Sequence, residues 1–170
     1  MSVKPRQPAP ALEVKLTDDS IWRLKDAKPE TFVMAVFYRG LHCPICKTYL
    51  ADLESKLPEF AKRGVDVIAV SMDNRERAGK AKLDWGLVNL RVGYGLPKPT
   101  VRDWELYMSR SIREGEPSEF NEPGLFLVKP DGSIFFASRG SAPWARPPLD
   151  QMLRGIDVAV ERKMPARGEA

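Results

Sequence analysis

Cys43 and Cys46 are the only cysteines in this sequence, and their Cys-x-x-Cys spacing makes a redox dithiol the first chemistry to consider. The thiolate is the reactive form. A helix N-terminus with cationic neighbours lowers a cysteine pKa from about 8.5 to roughly 3.5–7.5, and Arg39 and Lys47 flank the pair. A second thiol one helical turn away can attack a mixed disulfide or a sulfenic acid on the first, closing an internal disulfide and releasing reduced product. Three other uses compete. A structural disulfide across so short a loop contributes only about 2 kcal/mol in the chain-entropy model, against roughly 4.7 for a 100-residue loop. Zinc needs four ligands, and the one histidine, His42, is adjacent to Cys43 and poorly placed to share its metal, so only a dimer or added carboxylates could complete a site. Two unrelated buried cysteines would behave as small hydrophobes. The context around the pair favours redox chemistry.

That context is a strand running into a helix. Thr31-Phe32-Val33-Met34-Ala35-Val36-Phe37-Tyr38 is β-branched, aromatic and unbroken, which reads as a buried strand. Pro44 suits a first helical turn, and Leu50, Leu53, Leu57 and Phe60 recur on one helical face. Cys43 is therefore expected at the N-cap, facing unpaired N–H groups and the positive end of the helix dipole, with Cys46 on the inward stripe. One sulfur should be exposed and the other shielded. On this reading Cys43 attacks and Cys46 resolves.

The rest of the sequence supplies an alternation of strands and helices. Residues 12–16 and 20–24 alternate across Thr17-Asp18-Asp19 as an N-terminal β-hairpin, and 65–72 forms a second buried strand after Gly64. Strand, helix, strand implies a parallel crossover. Helices are expected at 74–85, 100–113 and 149–163, a short strand at 89–92, and a late hairpin at 124–138. The fold class is α/β, a central mixed sheet flanked by helices. One domain spans 10–163, and tails 1–9 and 164–170 are expected to be flexible from their proline, charge and small residues.

At 170 residues and 43% hydrophobic, the sequence can bury a full core. The net charge of +4 is modest, and acids interrupt the cations in Asp73-Asn74-Arg75-Glu76-Arg77 and Glu161-Arg162-Lys163, so these read as solvated faces rather than a nucleic-acid surface. Residues 1–10 lack the apolar region of a secretory signal and no run reaches a membrane span, so a cytoplasmic, reducing compartment is expected, where a dithiol would cycle.

The residues Phe37-Tyr38 and Cys43-Pro44-Ile45-Cys46 resemble the thioredoxin-fold superfamily, most closely the peroxiredoxin-like members of the alkyl hydroperoxide reductase and thiol-specific antioxidant family. Those proteins carry Phe-Tyr followed by Pro-x-x-x-Thr-x-x-Cys. Counted from Tyr38, that motif puts its peroxidatic cysteine on Cys46, its Thr on Cys43 and its Pro on Arg39. The resemblance thus implies a peroxidase in which Cys46 attacks and Cys43 resolves, an alternative to the thioredoxin-type order. It extends to Glu122-Pro123-Gly124-Leu125-Phe126-Leu127-Val128, similar to the late hairpin in which a cis-proline faces the dithiol, with Pro123 the candidate. The family usually has an arginine at that place, and Arg39 or Arg139 would have to substitute for it.

The resemblance implies a thiol-dependent oxidoreductase that reduces hydroperoxides or disulfides. It uses no cofactor or metal, takes electrons from an external thiol system such as thioredoxin or glutathione, and is compatible with a homodimer. A redox-inert thioredoxin-like binding module is the rival from another class. Arg39, His42, Pro44 and Pro123 are the supporting residues. Trp104, Tyr107 and Met108 read as core, and Ser141–Pro148, with Trp144 and Arg146, is either a cover over the dithiol or a plain loop into the last helix.

Overall fold

The computed structural model describes residues 2–170. Its strands are β1 (Glu13–Leu16), β2 (Ile21–Arg23), β3 (Phe32–Phe37), β4 (Val65–Val70), β5 (Arg91–Tyr94), β6 (Met108–Arg110), β7 (Glu119–Asn121), β8 (Gly124–Val128) and β9 (Ile134–Arg139). The helices are α1 (Pro44–Lys62), α2 (Arg75–Asp84), α3 (Lys98–Asp103) and α4 (Leu149–Glu161). Seven strands form one mixed sheet in the order β2-β1-β5-β4-β3-β8-β9, and β6 and β7 form a separate antiparallel ribbon. The N-terminal hairpin and the parallel β3–β4 pair both match the expectation.

β3 is buried along its whole length because both faces of the sheet are covered. Met34, Val36 and Tyr38 point toward Leu50, Leu53 and Phe60 of α1 and Leu153 and Ile156 of α4. Val33, Ala35 and Phe37 pack on the other side against Val70, Phe126 and Trp104. The indole of Trp104 is fully buried and donates to the Ala11 carbonyl at 3.2 Å, so its reading as core holds. Tyr107, by contrast, is exposed.

One expectation needs correction. The helix expected over 100–113 ends at Asp103, and the chain then turns through Glu105, whose φ is +52°, into β6. Apolar spacing past Trp104 reflected a buried turn rather than a continuing helix. The terminal segments, expected to be flexible, carry contacts. Val3 and Ala166 are buried, Arg6 Nε donates to the Ala166 carbonyl at 3.0 Å, and the backbones of Arg6, Gln7 and Ala9 bond to Gly132 and Ile134. Proline removes donors but leaves carbonyls free to pair.

Register fixes what surrounds the end of β3. Phe37 lies opposite Val70 of β4 on one side and Gly124 of β8 on the other. The segments just beyond those residues, Ser71–Asp73 and Asn121–Pro123, are thereby brought to the loop that carries the dithiol.

Candidate active site

Pro44 occupies the first turn of α1 and Cys43 is its N-cap, with extended backbone and Sγ accepting from the Cys46 N–H at 3.2 Å. The two sulfurs lie at disulfide distance, with Cα atoms 5.2 Å apart, inside the normal span for such a bond. The expected asymmetry of exposure is absent: Cys43 is 1% exposed and Cys46 0%. Cys43 turns its sulfur inward to cap the helix, while Arg146 lies on Cys46.

Arg146 is the cation on the dithiol. Its Nη2 donates to Cys46 Sγ at 2.8 Å, its Nη1 to the Pro143 carbonyl at 2.5 Å, and its guanidinium stacks over the Tyr49 ring at 5.1 Å. Burial pushes its pKa down to about 10, the mark of a charge held away from water. The loop Ser141–Pro148 is therefore a cover through Arg146, while Trp144 points out, 74% exposed.

The other arginines singled out from sequence go elsewhere. Arg139 pairs with Glu105. Arg39 spans to the buried Glu122, Nη2 donating to Oε1 at 3.3 Å and Nε approaching Oε2 at 3.1 Å, and it covers Phe120 at 4.8 Å. Ser109 Oγ also donates to Glu122 Oε1, at 2.5 Å. Arg39 thus ties the dithiol loop to β7.

His42 stacks on Phe120 at 4.5 Å, and both ring nitrogens are buried without partners. Burial, aided by Arg39, holds its pKa below the ordinary histidine value, so the neutral imidazole is favoured. Pro123 is buried and lines a small crevice with Tyr49, Gly124, Arg146 and Pro147. Its peptide bond is not cis: among the described residues every peptide is trans. Backbone pairing explains why no cis turn is needed, since Glu122 N–H donates to the Tyr107 carbonyl and Gly140 N–H to that of Pro123.

Sequence reasoning missed three residues. Asp73, read as part of a solvated charge run, is buried: it accepts from the Leu41 N–H at 2.7 Å and pairs with Arg77 Nε at 3.1 Å. Asn121 links the segments around β3, accepting from the Met72 N–H at 3.1 Å and donating to the Tyr38 carbonyl at 3.0 Å. Tyr49 is three residues past Cys46, so the one-turn spacing on α1 was the available signal for it. Asp73 had none, because a lone carboxylate among cations looks the same buried or free.

Comparisons with known proteins bear on the family and the fold. The profile of the AhpC/TSA family matches residues 5–137. The chain is 26% identical over 158 residues to 1-Cys peroxiredoxin A of Oryza sativa subsp. japonica, an alignment covering 88% of the chain and 69% of that protein. It is 26% identical over 119 residues to Peroxiredoxin 1 of Sulfurisphaera tokodaii, covering 69% of the chain and 53% of the relative. The chain thus spans between about half and about two thirds of these relatives' lengths. Among solved structures, a cysteine-to-serine mutant of Peroxiredoxin 6 of Arenicola marina superposes with a TM-score of 0.79 at 18% identity, covering 96% of the chain and 76% of that protein. AhpC of Mycobacterium tuberculosis superposes with a TM-score of 0.76 at 15% identity, covering 98% of each chain. At those identities the superpositions establish the thioredoxin-like fold.

Proposed function

The chain belongs to the AhpC/TSA family, and from that premise we propose that it is a thiol-dependent peroxidase in which Cys46 attacks and Cys43 resolves. One observation carries the order of attack: Arg146 Nη2 lies 2.8 Å from Cys46 Sγ. A guanidinium there favours the thiolate and can stabilise charge leaving with the departing oxygen.

The Cys46 thiolate attacks one peroxide oxygen, the O–O bond breaks, and the other oxygen leaves as hydroxide or alkoxide and takes a proton from water. Cys46 is now a sulfenic acid, oxidised by two electrons. The Cys43 thiolate attacks the Cys46 sulfur, hydroxide departs and is protonated, and the disulfide closes. An external thiol system returns the two electrons by exchange, either one thioredoxin-type dithiol that leaves as its disulfide or two glutathione molecules that leave as glutathione disulfide. A cytoplasmic compartment suits that cycle. Beyond Ile134, whose backbone bonds to Arg6 and Gln7, the outer edge of β9 has no strand partner among the described residues and offers a surface for a homodimer.

A second reading keeps the dithiol but lets Cys43 attack a protein disulfide, supported by its place at the N-cap of α1. Burial of both sulfurs favours the third reading, a redox-inert module. Stopped-flow oxidation by hydrogen peroxide, run beside an insulin-reduction assay and a thiol titration of the native protein, separates the three. The peroxidase reading requires rapid oxidation by peroxide and weak insulin reduction.

A further inference from the structure

We propose that Tyr49 is the positioning residue that holds Arg146 on Cys46. This rests on the reading of Cys46 as the attacking thiol and adds a residue that the dithiol motif does not contain. Tyr49 follows Cys46 by three residues on α1, so their side chains rise on neighbouring lines of one helix face. Arg146 comes from a loop distant in sequence and has no regular secondary structure to aim it. Two contacts from Tyr49 do so. The ring lies under the guanidinium at 5.1 Å, and the hydroxyl donates to the Pro147 carbonyl at 2.7 Å, clasping the backbone beside Arg146.

Among the described residues no carboxylate performs this task. Glu122, the buried acid of the region, is engaged by Arg39 and Ser109. The remaining donor contacts of Arg146 go to the Pro143 carbonyl and to Cys46 Sγ, and its Nε is buried without a partner. An aromatic face orients a cation while leaving its charge unneutralised, whereas a carboxylate would compete with the thiolate for it. The phenol does not ionise in the working range, since burial raises its pKa, so it stays a donor to Pro147 and adds no negative charge.

The test follows the pH dependence of iodoacetamide alkylation of Cys46 in reduced protein carrying Cys43→Ser, with Tyr49→Phe, Tyr49→Leu and Arg146→Gln added singly. Tyr49→Leu removes ring and clasp, and should shift the alkylation profile to higher pH and slow alkylation at neutral pH by about tenfold. Tyr49→Phe keeps the ring and should show a smaller shift in the same direction. Thermal melts of each variant verify folding, and if Tyr49→Leu fails to fold, Tyr49→His, which keeps an aromatic face without the clasp, replaces it. A shifted profile for Arg146→Gln with unchanged profiles for the Tyr49 variants would overturn the role of Tyr49 alone. An unchanged profile for Arg146→Gln would overturn the underlying assignment of Cys46 as the thiol that Arg146 activates.

Discussion

Arg146 should be worth more to turnover than to stability, because its contact falls on the sulfur rather than within the packed core. Arg146→Gln is expected to lower kcat/KM for hydrogen peroxide by about 10²–10³, the range seen when one donor to developing charge is removed. Steady-state peroxide consumption measures this. His42 behaves in the opposite way, as a residue whose ionisation affects the fold. Its folded pKa lies below the ordinary 6.5, so between the two values the unfolded chain binds more protons than the folded one. Stability should therefore be full above that ordinary value and fall as pH drops below it. His42→Phe should flatten this acid limb of a denaturant-midpoint-versus-pH curve, and an unaltered limb would exclude the imidazole as its source.

The element scale explains why some of the site was legible in sequence and some was not. The β3-to-α1 junction could be read because each signal is local: an apolar strand, a proline at the first turn and cysteines one turn apart. The arginine on the sulfur could not, because Arg146 reaches Cys46 from 100 positions further along the sequence, in a loop whose only sequence mark was rigidity. Arg39, near in sequence, faces Glu122 instead. Gly40 and Asp73 likewise depend on β3 and β4 ending side by side. Gly40 has φ +132°, and a Cβ there would stand 2.8 Å from the Asp73 carboxylate. Gly40→Ala should destabilise by about 1–3 kcal/mol. Asp73→Ala, which strands the Leu41 N–H and frees Arg77, should cost about 2–4 kcal/mol. Urea denaturation checks both, and a neutral Asp73→Ala would mean that the loop does not lean on β4.

At the scale of the whole molecule, the two-sided burial of β3 and β8 makes the dithiol a rigidly mounted group rather than a loop feature. The sequence revealed that architecture because long apolar strands and the stripe on α1 have few alternative readings. It concealed the β6–β7 ribbon, whose strands are three residues each, and the docking of the two tails. Removing residues 1–9 should lower stability by about 2 kcal/mol or more, since it uncovers the surface under Val3 and strips the backbone bonds to Ile134. A melt that matches the full-length protein would show those contacts to be incidental.

The order of attack is tested most directly by locating the first oxidised sulfur. Reduced Cys43→Ser and Cys46→Ser proteins would each receive one equivalent of hydrogen peroxide with a sulfenic-acid trap such as dimedone, followed by peptide mass spectrometry. The account predicts rapid trapping at Cys46 in Cys43→Ser and none at Cys43 in Cys46→Ser on the same timescale. Trapping at Cys43 in Cys46→Ser, with Cys46 inert in the other protein, would contradict it.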